Sequence, residues 1–295
     1  MKKHSLLKRI ISMKMFYLFI APAIIFFLIF IAYPLVNGFL MSMQKYGLMG
    51  SMGYIGMDNY EVLVQDKFFL KTITNTLKIS IGIVTFGVTI PIIISLGINE
   101  LVFKRFKRTV QTLIFVPYLF SWVIIIGIFL NLFSPTGAVN SFLVGTGITE
   151  TFVGFFTTEK YARPMLILLT VWKDIGYTTL IYLAGLSTVD QTLYETASID
   201  GANFFQRSRY VSLPALVPTI KIMTIMILMG SLRTFDQSLL LANSSVYREV
   251  TSVVVYAFEK GVLKFELGIA TASASIVFIG TLLLVLIVKR IIRYQ

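Results

Sequence analysis

Six long apolar stretches, separated by more polar segments, dominate the pattern of the chain. They cover roughly residues 16–39, 72–98, 109–132, 165–186, 213–232 and 267–288. A helix needs about 20 apolar residues to cross a hydrocarbon layer about 30 Å thick, because each residue advances the axis by about 1.5 Å. The pattern therefore predicts an all-α polytopic membrane protein with six transmembrane helices.

The charges between these stretches predict how the chain is oriented. Lysine and arginine are concentrated in the N-terminal tail, in the segment around 104–108, between stretches four and five, and in the C-terminal tail. Loops on the cytoplasmic side of a membrane carry the excess of basic residues. This distribution predicts that both termini are cytoplasmic, which requires an even number of spans and agrees with six.

Composition excludes several classes of protein. Only 14% of the residues are charged and 56% are hydrophobic, whereas soluble domains carry about 25% charged residues. The chain has no cysteine, and its single histidine, His4, lies in the basic tail. These facts argue against a thiol nucleophile, a zinc site or a Ser-His-Asp triad. The net charge is +12, but the basic residues do not form a face interleaved with aromatic residues, so nucleic-acid binding is not expected.

The ends of the chain are predicted to be short basic segments. Residues 1–15 place leucines and isoleucines on one helical face and basic residues on the other, which is typical of a helix lying in the membrane interface. A cleaved signal peptide is less consistent with so long an apolar run. The predicted organisation is a basic segment (1–15), a six-helix transmembrane domain (16–288) containing a cytoplasmic loop (187–213), and a basic tail (289–295).

The 187–213 loop carries signals for two short helices and a turn between them. Asp190 is suited to cap the first helix, and Gly201 is suited to the left-handed position that ends it. Asn203, followed three residues later by Gln206, predicts a capping box for the second helix. Such a helix pair suits docking into a groove of another protein, although a passive packed loop is the alternative.

The same loop resembles a family motif. Residues 194–202, Tyr-Glu-Thr-Ala-Ser-Ile-Asp-Gly-Ala, followed by Leu213-Pro214, are similar to the EAA loop of ATP-binding-cassette importer permeases, with Thr196 in place of the first alanine. The resemblance implies a coupling helix that sits in a cleft of a cytoplasmic ATPase subunit. It assigns this ATPase-coupling role to Tyr194, Glu195, Ala197, Asp200, Gly201, Ala202, Leu213 and Pro214.

Further motifs resemble the permeases of carbohydrate importers. They include Ile20-Ala-Pro22, Tyr33-Pro34, the stretch 111–122 and Phe235-Asp-Gln237, the last being closest to the complex oligosaccharide and polysaccharide branch. The resemblance implies the type I importer permease fold in a bacterial plasma membrane. It also implies a second permease subunit, two ATP-binding subunits and an extracellular solute-binding lipoprotein as partners. No phosphate-binding loop is present in the sequence, so ATP and Mg²⁺ are expected on the partner ATPase, with no cofactor on this chain.

Polar and aromatic residues inside the spans are the candidates for the substrate pathway. Intramembrane charges are costly and often functional, although a lysine can also snorkel to the interface or pair with the second permease. The neighbours Lys173 and Asp174 point about 100° apart on a helix, so one is expected to face a partner helix or the cavity. Aromatic faces, amides and carboxylates suit sugars, although span aromatics often only pack. The candidates are Asn75, Lys78, Tyr118, Asn131, Trp172, Asp174, Tyr177, Asp236, Gln237 and Asn243.

The sequence leaves three alternatives to a carbohydrate importer permease. A permease of the same architecture could carry a non-sugar solute. A stand-alone secondary transporter commonly shows inverted repeats, and no clear self-similarity is seen between the halves of this chain. A membrane-embedded enzyme would need an intramembrane catalytic cluster, which the sequence does not suggest.

Overall fold

The computed structural model describes residues 13–291. The predicted interfacial helix of the N-terminal segment and the last residues of the basic tail lie outside this part of the chain. In the described part the helices are α1 (Lys14–Phe27), α2 (Tyr33–Ser42), α3 (Asp58–Gln65), α4 (Lys67–Asn99), α5 (Lys104–Leu119), α6 (Trp122–Leu132), α7 (Ala138–Gly145), α8 (Glu159–Leu186), α9 (Gln191–Ile199), α10 (Phe204–Arg207), α11 (Leu213–Ser231), α12 (Asp236–Leu241), α13 (Tyr247–Val250), α14 (Val253–Phe258) and α15 (Leu267–Ile291).

The predicted membrane spans are present as long apolar helices. Five helices of the described chain are long and apolar enough to cross a membrane: Lys14–Ser42, Lys67–Asn99, Glu159–Leu186, Phe204–Ser231 and Leu267–Ile291. The pair α5 and α6 passes the same test together, so the described chain has six spans if this bent pair counts as one. The predicted polytopic helical fold is confirmed, although the described chain also contains a short β-hairpin that the sequence analysis did not predict.

The third span was predicted to be one continuous helix over 109–132, and this prediction is wrong. The chain bends by 100° between α5 and α6. Pro117 lies in the last turn of α5 and has no N–H to donate, and Phe120 then adopts an extended conformation. Ser121 starts the new helix by accepting a hydrogen bond from the Ile124 amide at 3.5 Å. A proline followed by a capping serine was the sequence signal for this break.

The fifth span begins earlier than its predicted start at residue 213. α10 continues through a wide π-helical turn, Ser208–Ser212, into α11, so that one helix runs over Phe204–Ser231. Pro214 lacks an N–H, and its ring crowds the carbonyl four residues before it. The wide turn removes this conflict without ending the helix. A second π turn, Leu28–Ala32, precedes Tyr33-Pro34 in the first span.

The chain forms two compact units. The described residues of the first are 13–63 and 257–275. In it the strands β1 (Gln44–Gly47) and β2 (Gly50–Tyr54) pair antiparallel as a hairpin. The buried Asn59 amide donates to the carbonyls of Ser42 (2.8 Å) and Gln44 (2.9 Å), which fixes the hairpin to the end of α2.

The second unit, with described residues 64–256 and 276–291, contains the main helical core. α4, α5 and α11 pack on α8 around buried side chains such as Leu166, Leu169 and Tyr182. Gly176 on α8 permits the closest approach, because a Cβ atom there would overlap the backbone of Ile114 and Phe115 on α5. This packing positions the two halves of the broken span against α8.

Candidate functional site

A cavity of about 300 Å³ opens among the helices of the second unit. Side chains from α4, α6, α8, α11 and α12, together with Tyr118 of α5, form its wall. Apolar lining residues include Ile83 on α4 and Met223 on α11. Five other lining residues are aromatic or carry an amide or carboxyl group: Tyr118, Trp122, Asp174, Tyr177 and Gln237. Four of these five were among the sequence candidates for the substrate pathway.

The aromatic wall is built from three helices, α5, α6 and α8, the last of which is distant in sequence from the other two. The rings of Tyr118 (α5) and Tyr177 (α8) stack at 4.8 Å between centroids with an interplanar angle of 13°. Trp122 stands at the start of α6, directly after the break, and also lines the cavity. The bend in the third span therefore places an aromatic residue from each of its halves on the cavity wall.

Lys173 holds the broken span in place. Its ammonium donates to the carbonyl of Tyr118 at 2.9 Å, and it lies 5.0 Å from the ring centroid of Tyr118 and 5.3 Å from that of Trp122. In a continuous helix the Trp122 amide would donate to this carbonyl, so Lys173 supplies a donor where the bend occurs. Lys173 thus faces a neighbouring helix, and Asp174 lines the cavity. The sequence left this choice open.

The remaining pathway candidates lie elsewhere in the second unit. Asn75 is buried and donates to the carbonyls of Arg248 (2.8 Å) and Thr251 (3.1 Å). Asn243 donates to the carbonyl of Phe156 at 2.8 Å. Both amides hold connecting segments in place.

Four further candidates are exposed and do not line this cavity. Asn131 donates to Gly127 on its own helix at 2.9 Å. Trp172 packs edge-on against Phe129, with ring centroids 5.1 Å apart. Lys78 and Asp236 are exposed. Their assignment to a wider pathway stays a prediction.

A charged cluster that sequence reasoning missed lies near the starts of α4 and α8. Glu249 pairs with Lys71 at 2.6 Å and with Arg163 at 2.5 Å, and Arg163 also donates to the Asn75 Oδ1 at 2.9 Å. Burial alone would raise the pKa of Glu249, but the Lys71 hydrogen bond and the two cationic charges outweigh it and lower that pKa. These partners are far apart in sequence, so no local pattern indicated the cluster.

The 187–213 loop has the helix–turn–helix form that the sequence predicts. The Asp190 carboxylate accepts from the Thr192 amide at 2.9 Å, and this hydrogen bond lowers the pKa of Asp190. Gly201 has φ +77°, the left-handed conformation that ends α9. Asn203 and Gln206 form the reciprocal capping box, with distances of 2.8 and 3.0 Å.

Two side-chain contacts attach this loop to the ends of the spans. The Tyr194 hydroxyl and the Ser212 Oγ are 2.9 Å apart, in either donor sense. Arg207 pairs with Glu100, the residue after α4, at 2.5 Å and donates to the Ala202 carbonyl at 3.3 Å. Arg207 was not among the predicted coupling residues, because its partner lies 107 positions away.

Several other residues of the loop are exposed, and some of them are apolar. Leu193, Ile199 and Phe205 are 53%, 86% and 78% exposed. Glu195, Asp200, Gly201 and Pro214 are also exposed, whereas Ala197, Ala202 and Leu213 are half-buried. Large apolar side chains clustered on an otherwise polar surface commonly mark a site for another protein.

In the part of the chain that the structure describes, no group of three or more His, Cys, Asp or Glu side chains could hold a metal ion.

Spanning helices around a polar, aromatic-lined cavity, together with an attached helical loop, define an integral membrane transport subunit. Residues 87–294 match the model of the family described as "Binding-protein-dependent transport system inner membrane component". The chain belongs to this family, whose members are transport permeases and not catalytic subunits.

Characterised relatives match almost the full chain. The polygalacturonan/rhamnogalacturonan transport system permease protein YteP of Bacillus subtilis is 30% identical, over 99% of this chain and 92% of its own length. The arabinooligosaccharides transport system permease protein AraP of the same organism is 31% identical, over 92% of this chain and 86% of its own length.

A solved structure has the same fold. A chain of a bacterial alginate ABC transporter, in complex with an alginate pentasaccharide-bound periplasmic protein, matches with a TM-score of 0.88 and 31% identity. The match covers 98% of this chain and 97% of that chain.

Proposed function

We propose that the chain is the transmembrane permease subunit of an ATP-driven ABC importer that takes up an oligosaccharide. The relatives named for polygalacturonan/rhamnogalacturonan and for arabinooligosaccharides support a carbohydrate substrate. Because both align over most of their own length, the whole chain takes part in the comparison. Membership in a binding-protein-dependent family argues against a transporter that works alone.

The observation that carries the proposal is the 187–213 loop. It is fixed to the span ends through Tyr194 and Arg207. It also exposes apolar residues such as Ile199 and Phe205. A helix pair with exposed apolar residues is suited to a groove in an ATPase subunit, and its contacts with the span ends can carry a displacement to the spans.

The proposed partners follow from this role. They are a second permease subunit, two ATP-binding subunits and an extracellular solute-binding lipoprotein, in a bacterial plasma membrane with both termini of this chain in the cytoplasm. The periplasmic protein in the alginate complex supports the solute-binding partner. ATP and Mg²⁺ are held by the ATPase subunits.

The transport cycle alternates between two states of the spans. ATP and the sugar-loaded binding protein favour the outward-facing state, and hydrolysis and release restore the inward-facing one. In this chain the loop is attached to Glu100, at the end of α4, and is continuous with α11. Both helices line the cavity, so movement of the loop reaches the cavity wall through them.

The cavity suits a passing sugar. The flat faces of Tyr118 and Tyr177 can cover the apolar face of a sugar ring. The Gln237 amide and the Asp174 carboxyl group can exchange hydrogen bonds with hydroxyl groups. Weak binding suffices there, because the external binding protein selects the solute.

Reconstitution tests the proposal. The chain is purified with the second permease and the ATPase, placed in vesicles, and supplied with the sugar-loaded binding protein. We expect the loaded protein to stimulate ATP hydrolysis and sugar uptake together. Uptake by vesicles that contain this chain alone would contradict the proposal.

A pair of variants tests the docking face. Ile199→Asp places a charge at the most exposed apolar position of the loop, and it should weaken ATPase binding by about tenfold or more. Ile148→Asp, at a position 64% exposed between α7 and α8, is the control and should co-purify with the ATPase normally. Equal ATPase recovery with both variants would remove Ile199 from the interface.

A further inference from the structure

The described residues that line the cavity include one acidic side chain and no basic one. Among the described residues that line it, Asp174 is the only aspartate, glutamate, lysine, arginine or histidine. Its other polar groups are hydroxyls, an indole N–H and the amide of Gln237. The wall of this chain therefore presents an acid to a passing solute and no cation.

The nearest candidate cation is already engaged. Lys173 is only 8% exposed. Its ammonium donates to the Tyr118 carbonyl and lies over the Tyr118 and Trp122 rings. Moving it to a solute would leave that carbonyl without this donor and remove the contact that spans the break.

Neutral and acidic sugars would meet this wall differently. A hydroxyl group can donate to the Asp174 carboxylate and accept from the Gln237 amide. A uronate would bring a second carboxyl group close to Asp174 in a setting of low dielectric. Two neighbouring carboxylates cannot both stay ionised without a cost. The charge of Lys173 lowers this cost only in part, because its ammonium is directed to the Tyr118 carbonyl and the two rings and does not line the cavity.

We infer that the cavity admits an uncharged oligosaccharide and that Asp174 is the residue that disfavours uronates. This inference rests on the proposed function and narrows it. The relatives include both classes of substrate, since one is named for polygalacturonan/rhamnogalacturonan, another for arabinooligosaccharides, and the solved structure belongs to an importer of the acidic polysaccharide alginate. The single carboxyl group in the cavity lining, with no cation among the described lining residues, favours neutral oligosaccharides over acidic ones.

A matched pair of probes isolates the charge. A short oligogalacturonide and its methyl ester have the same sugar backbone, and only the first carries carboxylates. Their binding to the purified complex of permeases and ATPase is compared by saturation-transfer NMR in competition with a neutral galacto-oligosaccharide. The binding protein is omitted, so its own selectivity does not enter. We expect the ester to bind about tenfold more tightly than the acid, a difference of about 1.4 kcal/mol.

Variants assign the preference to Asp174. Asp174→Asn should bring the two probes within about twofold of each other, whereas Asp174→Glu should keep the preference. Asp58→Asn, which removes the same charge at an exposed position of the first unit, should also keep it. Equal binding of acid and ester to the wild type, or an unchanged ratio in Asp174→Asn, would overturn the inference. Absence of binding and of uptake for every saccharide would overturn the proposed function and the inference with it.

Discussion

The capping contacts that stabilise the 187–213 loop join residues close in sequence, whereas the contacts that stabilise the cavity join residues far apart in sequence. In the loop, the caps join residues that are neighbours in sequence, such as Asp190 with Thr192 and Asn203 with Gln206. In the cavity, the fixing contact between Lys173 and the Tyr118 carbonyl joins residues 55 positions apart. The loop can therefore form its own shape locally, whereas the cavity exists only after distant helices have packed.

This difference predicts where the chain is most sensitive. A lost cap removes one local hydrogen bond, and the rest of the loop keeps its geometry. A change at a close approach between helices displaces every residue that those helices carry into the cavity. We therefore expect the largest effects on stability from substitutions in the helix packing behind the cavity and the smallest from the loss of a capping side chain such as that of Asp190.

The largest effect is expected at Gly176. Gly176→Ala places a Cβ atom on the backbone of Ile114 and Phe115, which should cost about 2–4 kcal/mol because backbone cannot move aside as a side chain can. The measurement is thermal unfolding of the purified chain. Gly97→Ala is the matched control, since a Cβ atom there meets nothing within 4 Å. Equal melting temperatures for the two variants would contradict the packing described.

The next effect concerns Lys173. Lys173→Met keeps the apolar stem but removes the ammonium, with an expected loss of about 2 kcal/mol for the charged hydrogen bond and the ring contacts. Sugar uptake should fall as the aromatic wall loosens, and Lys173→Arg should restore part of it. Lys160→Met, which removes an exposed lysine lying over Tyr161, should change uptake little. Loss of uptake in Lys160→Met, with normal uptake in Lys173→Met, would contradict the role of Lys173 in holding the aromatic wall.

The range of these contacts also explains what the sequence could predict. The helix pair in the loop was predictable because Asp190, Gly201 and Asn203 act on backbone groups within three residues of themselves. The spans were predictable because hydrophobic length alone identifies them. The side-chain types of Tyr118, Asp174, Tyr177 and Gln237, within apolar spans, identified them as candidates for the substrate pathway.

The rest depended on tertiary structure. No local signal shows that those four candidates converge while Asn75 and Asn243 hold connecting segments. A proline and a serine flank the break, yet the length of the apolar run around them led to the prediction of one span over 109–132. The ion pair of Arg207 with Glu100 joins distant positions, and a single sequence does not reveal such pairs.

The ion pair between Arg207 and Glu100 connects the two regions, and its loss should be of intermediate size. Arg207→Met or Glu100→Gln should raise the number of ATP molecules hydrolysed per sugar by several-fold, because a half-buried pair contributes about 1 kcal/mol. The charge swap Arg207→Glu with Glu100→Arg should restore much of the coupling. Arg209→Met, at an exposed position two residues away, is the control. An unchanged ratio in both single variants would show that the loop transmits movement by another route.

The smallest effect is expected at the cap of the loop helix. Since the folded pKa of Asp190 is lowered by its hydrogen bond with Thr192, the stabilisation it gives is fully present above the ordinary pKa and is lost as pH falls through the lowered one. Helix content should therefore be unchanged between neutral pH and about pH 5 and should decline in stronger acid. Asp190→Asn should keep the cap and remove this acid dependence. A decline of the same size in Asp190→Asn would assign it to other groups.

We propose that one chain supplies both the path for the sugar and the loop that transmits movement of the ATPase to the spans. The most direct test measures uptake and ATP hydrolysis in the same vesicles for Gly201→Val in the loop and Gln237→Ala in the cavity, after membrane insertion of both variants has been verified. We predict that Gly201→Val, which strains a residue at φ +77°, loses both uptake and sugar-stimulated hydrolysis. Gln237→Ala should lose uptake while keeping most of the stimulated hydrolysis. Normal stimulated hydrolysis in Gly201→Val, or its loss in Gln237→Ala, would contradict this division of roles.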